Sequence, residues 1–256
     1  MGQALIRGLL RAGVPSGRVL VVEADASTRR RVRRAFRVRG AVLEEMAKRC
    51  DAIIIAVKPQ DLPPLLEQLA HGLRARRPAP LVISIAAGVR LAALEGRLGG
   101  APVVRVMPNL PAKVGCGMSA VAAGRAARAP HLALARAVMG CVGEVVELPE
   151  RLFDAVTAIS GSGPAYFFLV FKALRDAGAR AGLPARVAQR LALRTAAGSV
   201  ALAEASTQPL EDLIAQVASK RGTTEAALRV FARRRLAGII EAGVAAAVRR
   251  SRALSK

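Results

Sequence analysis

The chain has 256 residues, 53% of them hydrophobic, which is enough for a folded core in one large or two smaller domains. Its apolar runs at 52–57 and 165–171 fall far short of the roughly 20 residues that span a bilayer, so we expect no membrane segment. The formal net charge is +22, but only 3% of residues are aromatic and no nucleic-acid motif is present, which argues against nucleic acid as a partner.

Short apolar runs alternate with helical patterns through the first 150 residues. The predicted strands are 19–23, 52–57, 81–85, 103–106, 118–122 and 144–148. The predicted helices between them are 26–37, 61–73 and 131–139. Such alternation is typical of βαβ units and predicts an α/β Rossmann-like domain over residues 1–149, with a parallel, doubly wound sheet.

Helical patterns dominate from residue 150 to the end. They are interrupted at 161–164, 182–184, 208–209 and 220–222. The helix predicted at 187–203 is apolar on much of its circumference, and in so small a domain that surface would be buried by a partner chain. We therefore predict an all-α dimerisation domain over residues 150–256.

The chain opens on the helical pattern 1–10, without the strand and glycine-rich turn that begin a dinucleotide-binding sheet. That strand is central, so its loss would leave two neighbouring strands with unpaired edges. Two interpretations stay open: the natural start lies upstream of Met1, which we favour, or the chain is a fragment or a decayed copy.

The cysteines and histidines predict neither disulfides nor a metal site. Cys50, Cys116 and Cys141 are scattered and odd in number, which suits a reducing cytoplasm. His71 and His131 have no acidic or thiol companions at ligand spacing. With no secretory signal expected, we predict a cytoplasmic protein that binds no metal.

The segment 160–166, Ser-Gly-Ser-Gly-Pro-Ala-Tyr, precedes an apolar helical run. We expect Gly161 and Gly163 to adopt backbone dihedrals that other residues avoid, Ser162 to cap the helix and Pro164 to occupy its first turn. Free donors at a helix N-terminus would hold a carboxylate or a cofactor amide. An ordinary capped helix start is the alternative.

Five motifs, in order, resemble those of the pyrroline-5-carboxylate reductase family. They are Met-Gly-Gln-Ala-Leu at 1–5, Ala-Val-Lys-Pro at 56–59, Ser-Ile-Ala-Ala-Gly at 84–88, Met-Pro-Asn-Leu-Pro at 107–111 and the segment 160–166. Gly-Thr-Thr at 222–224 and a closing helix at 241–252 follow in the expected places. The resemblance covers essentially the whole chain, apart from the missing first strand.

The resemblance implies reduction of 1-pyrroline-5-carboxylate to L-proline, the last step of proline biosynthesis, with NADPH or NADH. It also implies a Rossmann domain followed by an all-α domain, in interlocked homodimers that often assemble further into decamers. A catalytically impaired or inactive paralogue that keeps the dimer scaffold is the alternative.

The resemblance assigns cofactor binding to loops that follow the predicted strands. These residues are Ala56, Val57, Lys58, Pro59, Ile85, Ala86, Ala87 and Asn109. Ser27 and Arg29 lie where the adenosine ribose ends, and hydroxyls and arginines there favour a 2′-phosphate and therefore NADPH. Asp25 lies nearby, and a carboxylate there would select NAD, so NADH stays possible. The alternatives are a strand end stopped by proline, a turn-forming asparagine and a solvated arginine face.

Substrate binding falls, by resemblance, on two helix starts. These residues are Ser160, Gly161, Ser162, Gly163, Ser219, Gly222, Thr223 and Thr224. Thr224 aligns with a substrate-facing threonine that hydrogen-bonds the ring nitrogen, and we take it as the candidate catalytic residue. Its alternative role is a second helix cap beside Thr223.

Several residues depart from the family pattern. Lys220 and Arg221 replace proline and glycine, and Arg221 would occupy a position where a glycine tolerates positive φ. The two cations can help to hold a carboxylate, but they also add bulk. Leu43 replaces a ribose-contacting asparagine, and 233–235 replaces a glycine-rich stretch. These departures keep the inactive paralogue open as an alternative.

Overall fold

The computed structural model describes residues 1–74, 76 and 78–255. They form two compact units. The first comprises Met1–Ser162 together with the C-terminal residues from Ala247 onward, and the second comprises Gly163–Ala246. The predicted boundary between residues 149 and 150 lies just before a short 3-10 helix, Glu150–Leu152, whereas the compact units separate after Ser162.

The first unit contains two sheets. Its described strands are β1 (Leu20–Val21), β2 (Arg39–Gly40), β3 (Ala52–Ile55), β4 (Leu81–Ser84), β5 (Val103–Met107), β6 (Gly117–Ala123) and β7 (Gly143–Glu147). β1 and β2 pair in parallel, and β3 to β7 form a second sheet in chain order. All the predicted strands are confirmed, although β1 is shorter than predicted. The sheet is mixed, since β6 runs antiparallel to β5.

Helices pack on both faces of the larger sheet. Those of the first unit are α1 (Gly2–Arg11), α2 (Ala26–Phe36), α3 (Leu43–Arg49), α4 (Leu62–Leu73), α5 (Leu91–Glu95), α6 (Ala129–Gly140) and α7 (Phe153–Val156). One core joins α3, α4 and α5 to the sheet, and the other joins α1 and α6 to its opposite face. Apolar residues at helical spacing on α4, including Leu62, Leu66, Leu69 and Leu73, are buried in the first core.

The strands of the first unit divide between the two sheets. β1 belongs to the small sheet, and β3 is an edge strand of the large one. The chain begins directly in α1, as predicted. α1 packs closely where α6 joins β7, because a Cβ added to Gly8 would lie 2.6 Å from the carbonyl oxygen of Cys141. A glycine is required at that position by the close approach of the two backbones.

The helices of the second unit leave much apolar surface exposed. They are α8 (Gly163–Arg180), α9 (Ala185–Ala205), α10 (Leu210–Val217), α11 (Thr223–Arg233) and α12 (Leu236–Leu254), whose last residues belong to the first unit. The predicted breaks after α8, α9 and α10 are confirmed. Phe167, Phe168 and Leu169 on α8 are 61%, 57% and 68% exposed. No helix in the described residues has the length and apolarity needed to cross a membrane.

Candidate active site

The loops after β3 and β4 lie side by side at the carboxyl edge of the sheet. Ile55 is in register with Ser84, and the N–H of Ile85 donates to the carbonyl oxygen of Ile55 at 3.1 Å. The residues of the first loop, Ala56, Val57, Lys58 and Pro59, are all exposed. In the second loop Ile85 is half-buried, Ala86 is buried and Ala87 is exposed. The structure therefore brings these predicted cofactor residues together.

The N-terminus of α1 lies beside the first of these loops. A Cβ placed on Gly2 would lie 3.5 Å from the Cβ of Ala56. The first turn of α1 has no acidic residue, and within the described residues no side chain caps it. Its first N–H groups and the helix dipole therefore face this edge without a local anion, which suits a pyrophosphate. The motif at 1–5 predicted the helix, but it did not predict that the first turn of the helix could bind a pyrophosphate.

Asn109 joins the loop after β5 to the segment 160–166. Its Oδ1 accepts the N–H of Met118 at 2.9 Å, and its Nδ2 donates to the Oγ of Ser160 at 3.2 Å. All three residues are partly buried. The structure thus brings a predicted cofactor residue, Asn109, into contact with a predicted substrate residue, Ser160. Met118 had no part in the sequence prediction, because a backbone donor carries no residue signature.

The backbone prediction for residues 160–163 is wrong. Thr157–Gly161 form a π-helical turn that continues almost directly into α8. Ser162 has helical dihedrals and its N–H donates to the carbonyl oxygen of Thr157 at 2.8 Å, so it neither caps the helix nor leaves that donor free. Pro164 does lie in the first turn of α8, as expected.

In this segment Gly161 lies in close packing, and neither Gly161 nor Gly163 has unusual dihedrals. Neither Gly161 nor Gly163 has a positive φ. A Cβ on Gly161 would lie 2.6 Å from the Cε of Met107, at the end of β5. A Cβ on Gly163 would meet nothing within 4 Å, although the residue itself is buried. The prediction of unusual dihedrals is therefore wrong for both glycines, and the close contact with Met107 concerns Gly161 alone.

The polar residues that follow β1 form the hydrogen bonds at the start of α2. The Oδ1 of Asp25, the N-cap, accepts the Ser27 hydroxyl and the Thr28 N–H, both at 2.7 Å. These bonds stabilise the carboxylate, the one from Ser27 most strongly, and hold the pKa of Asp25 well below its usual range. Arg29 donates from Nη1 to the carbonyl oxygen of Glu23 at 2.7 Å, which fixes its guanidinium near the carboxyl end of β1.

In the second unit, the residues predicted around Thr224 form a tight turn into α11. Gly222 is the N-cap and donates its N–H to the carbonyl oxygen of Ser219 at 3.0 Å. A Cβ on Gly222 would lie 2.4 Å from the Oγ of Ser219 and 3.0 Å from its carbonyl oxygen, so a larger residue would crowd this turn. Thr223 and Thr224 occupy the first turn of α11, and Thr224 is half-buried.

The alternative role of Thr224 as a helix cap is not supported. No side chain caps α11 through Gly222, and among the described residues the Thr224 hydroxyl has no hydrogen-bond partner. The Glu225 carboxylate instead accepts the N–H of Arg221 and a bond from Arg229 at 3.0 Å. Sequence reasoning missed Glu225, although an acid in the first helical turn is a recognised capping signal.

The departures from the family pattern have visible structural consequences. Arg221 has φ of +58°, as predicted for an arginine at a glycine position, and Arg235 has φ of +52°. Both side chains are exposed, as is that of Lys220. Leu43 begins α3 and packs against the buried core on that face of the sheet. It therefore acts as a core residue here and offers no polar group to a ribose.

Two family descriptions match the chain. The family model for pyrroline-5-carboxylate reductase dimerisation matches residues 150–254. The family model for NADP oxidoreductase, coenzyme F420-dependent, matches residues 1–88.

Individual relatives and solved structures agree over nearly the full length. The chain is 41% identical to a pyrroline-5-carboxylate reductase of Synechocystis sp., covering 93% of this chain and 88% of that protein. It is 38% identical to the Pseudomonas aeruginosa enzyme of the same name, covering 100% and 94%. A Coxiella burnetii pyrroline-5-carboxylate reductase structure matches with a TM-score of 0.93 and 31% identity, over 100% of this chain and 95% of that one. A Plasmodium falciparum pyrroline carboxylate reductase with NADP bound matches with a TM-score of 0.88 and 28% identity, again over 100% and 95%. The chain belongs to the pyrroline-5-carboxylate reductase family.

Proposed function

We propose that the protein reduces 1-pyrroline-5-carboxylate to L-proline with NADPH. The observation that carries this proposal is the hydrogen bond between Asn109 and Ser160, 3.2 Å long. It links the sheet edge that holds the predicted cofactor loops to the segment predicted to bind the substrate. A cofactor and a small anionic substrate need such adjacency, because hydride transfer requires direct contact between the reacting carbons.

The residues at the carboxyl edge fit a dinucleotide. The first turn of α1 offers N–H groups and a positive dipole end to a pyrophosphate. Ala56 and Ala87 are small and exposed, so they allow a ribose or a ring to approach the backbone closely. When bound, NADPH supplies a hydride from the C4 atom of its nicotinamide. Ser27, Arg29, the two loops 56–59 and 85–87, and Asn109 are the residues we propose to hold it.

The start of α2 supports NADPH over NADH. A free carboxylate beside the adenosine ribose would favour NADH. Here the Oδ1 of Asp25 caps the helix and accepts the Ser27 hydroxyl. This oxygen already has its hydrogen-bond partners within the protein. Arg29 is anchored at the same end of the helix, where a cation attracts a 2′-phosphate.

The work of the protein on the substrate is binding, orientation and stabilisation of a proton. A protonated imine is already electrophilic, so positioning contributes most. We assign the substrate carboxylate to the hydroxyl of Ser160 and to neighbouring groups of segment 160–163. We assign the ring nitrogen to the hydroxyl of Thr224, which no described protein group engages. Ser219, Gly222 and Thr223 shape the turn that presents Thr224.

We further propose that the protein works as a homodimer in a reducing cytoplasm, and that these dimers assemble further into a decamer. The exposed apolar side chains of α8 support the dimer, as does the match of residues 150–254 to a dimerisation family. The cysteines, Cys50, Cys116 and Cys141, are free thiols, which supports the compartment.

The direct test is the oxidation of NADPH by 1-pyrroline-5-carboxylate. The reaction is monitored through the loss of absorbance of the reduced nicotinamide. The wild-type chain is expected to turn over, and Thr224→Ala is expected to lose about 100-fold in kcat with an unchanged melting temperature. Thr224→Ser, which keeps the hydroxyl, should retain most of the activity. Absence of turnover at saturating substrate would refute the proposal.

A further inference from the structure

The final α12 turn, which we define as residues 251–255, is bound to a single carboxylate of α7 within the first unit. The Ser251 hydroxyl donates to Oδ1 of Asp154 at 2.7 Å, and the Ser255 hydroxyl donates to the same oxygen at 3.4 Å. Arg252 approaches the other oxygen, with 4.0 Å between Nε and Oδ2. The Asp154 side chain is only 18% exposed, so water competes little for these bonds and they hold the turn in place.

The same turn lies against the loop that follows β4. Gly88 in this loop has φ of +76°, and a Cβ added to it would lie 3.2 Å from the carbonyl oxygen of Leu254 and 3.8 Å from the Leu254 Cβ. The loop backbone and the end of α12 therefore approach each other closely, with little room for a side chain between them. Gly88 directly follows residues 85–87, three of the residues proposed to hold the cofactor.

Hydrogen bonds hold this loop at its two ends. The N–H of Ile85 donates to the carbonyl oxygen of Ile55 at 3.1 Å, and the N–H of Leu91 donates to Oε1 of Glu150 at 2.7 Å. From residue 87 to residue 90, no backbone N–H donates to another described residue. Packing therefore positions the middle of the loop, and the final α12 turn is part of that packing.

Glu150 and Asp154 belong to one short helical segment. The 3-10 helix Glu150–Leu152 is followed directly by α7, Phe153–Val156. Phe153, which lies between the two acids, is buried in the core, so the segment is firmly anchored. Glu150 fixes the far end of the loop after β4, and Asp154 fixes the turn that contacts the middle of the same loop.

We propose that Asp154 and Ser251 are positioning residues for the cofactor, because they fix the final α12 turn and thereby hold the loop after β4 in the conformation that binds NADPH. The inference rests on the proposed function for the identity of the cofactor. A loop already held in its binding conformation loses less conformational entropy when the ligand binds. Where only a fraction of the molecules have the loop in place, the apparent dissociation constant rises by the reciprocal of that fraction. Neither side chain needs to contact NADPH for this effect.

The test measures NADPH binding to the full chain by isothermal titration calorimetry, without 1-pyrroline-5-carboxylate. Ser251→Ala removes the shorter bond to Asp154 and is expected to raise Kd for NADPH about 5- to 10-fold, as a fall of the competent fraction to about 0.1–0.2 would do. Ser251→Thr keeps the hydroxyl and should stay within about 2-fold of the wild type. Ser199→Ala is the matched control, since Ser199 is exposed within α9 and its hydroxyl has no partner among the described residues. It should leave Kd unchanged.

A double variant tests whether the two residues act through one contact. Asp154→Ala removes the acceptor of both serines and should raise Kd at least as much as Ser251→Ala does. Adding Ser251→Ala to Asp154→Ala should change Kd by less than about 2-fold, because the bond is already lost. Should Asp154→Ala fail to fold, the comparison of alanine with threonine at position 251 carries the test.

Limited proteolysis separates positioning of the loop from a general loss of stability. Arg90 is exposed in this loop, so trypsin cleavage after Arg90, identified by mass spectrometry, reports how often the loop leaves its position. Ser251→Ala should speed this cleavage about 5-fold without NADPH, and saturating NADPH should slow it again. Cleavage at sites outside the loop should keep its wild-type rate.

The outcomes distinguish the two proposals. A wild type that binds NADPH but does not reduce the imine refutes the proposed function alone, since Kd for NADPH still tests the positioning role. An unchanged Kd in Ser251→Ala and Asp154→Ala overturns the positioning role alone. A lowered Kd also overturns it, because the final α12 turn would then obstruct the cofactor. Faster cleavage at all sites with a lowered melting temperature would show a purely structural contact, and a wild type that binds no NADPH overturns both proposals.

Discussion

Arg105 Nη1 and Glu150 Oε1 lie 2.8 Å apart, and the arginine side chain is only 6% exposed. The guanidinium also stacks over the Phe153 ring, 4.8 Å from its centroid. The same Glu150 oxygen accepts the N–H of Leu91 at 2.7 Å, so one carboxylate satisfies both a buried cation and the start of α5. This pair holds the residues after β7 against the middle strand of the sheet.

We predict that Glu150→Ala lowers the free energy of unfolding by about 3 kcal/mol, because it leaves the buried Arg105 charge without a partner. Denaturant unfolding of the purified protein measures the change. Glu67→Ala is the control, since Glu67 is exposed on α4 and makes no ion pair within the described residues. It should shift the free energy of unfolding by less than about 0.5 kcal/mol. Equal, small effects of both variants would show that Arg105 needs no carboxylate.

Arg221→Gly should stabilise the protein. Arg221 has φ of +58°, a left-handed conformation that costs an L-residue about 1–2 kcal/mol. A glycine avoids this strain, but its greater chain entropy in the unfolded state offsets about half to all of the gain. The expected net gain is therefore about 0.5 kcal/mol, because the N–H bond to Glu225 does not depend on the side chain. Ala227→Gly, in the interior of α11, should instead destabilise the protein by about 1 kcal/mol. A loss of stability in Arg221→Gly would contradict the strain argument.

The alternation of strands and helices could be predicted because each strand is a run of residues suited to a buried pleated surface. Ile53 and Ile55 of β3 and Val82 and Ile83 of β4 are all buried, as such runs require. The short β1 could not be bounded from its sequence, since residues 19–23 continue the apolar pattern past the two paired residues. The β6 strand was predicted, but its antiparallel direction was not, because strand direction depends on the path of the connection and not on composition.

The candidate site was predicted by motif more accurately than by physics. Motif order located Asn109 and Ser160, but no local pattern shows that they touch across 51 positions. The π-helical turn at Thr157–Gly161 has no residue signature, and so the glycines there suggested unusual dihedrals instead of contact with Met107. Arg221 was the opposite case, since a glycine position filled by arginine predicts positive φ directly.

The pKa of the Asp25 carboxyl should lie well below that of an ordinary aspartate, because it accepts bonds from Ser27 and Thr28. Carboxyl NMR titration measures it. Ser27→Ala should raise the Asp25 pKa, whereas Ser16→Ala, whose hydroxyl contacts no carboxylate in the described residues, should not. Since the folded pKa is depressed, the stabilisation from Asp25 is present above the unfolded value of about 3.9 and is lost as pH falls toward the folded value. An unshifted Asp25 would contradict this account of the α2 cap.

Arg29→Ala should weaken the preference for NADPH. We expect KM for NADPH to rise about 10-fold, which corresponds to losing one charge-assisted contact to a phosphate. KM for NADH should change little, since NADH lacks the 2′-phosphate. Arg31→Ala is the matched control, because Arg31 is exposed on the same helix and makes no contact within the described residues. If both variants raise KM for NADPH equally, the whole basic helix attracts the cofactor and Arg29 has no special role.

Leu169→Glu should convert the proposed dimer into monomers without unfolding the chain. Leu169 is 68% exposed on α8, so the charge is hydrated in a single chain and costs it little. In a dimer that covers this face, the same carboxylate would be buried without a partner, which should weaken association by at least about 30-fold. Sedimentation velocity over a concentration series measures the change. Ala133→Glu, on the exposed side of α6, should leave association unaltered. A Leu169→Glu protein that stays dimeric at the same concentrations would show that the interface uses a different face of the second unit.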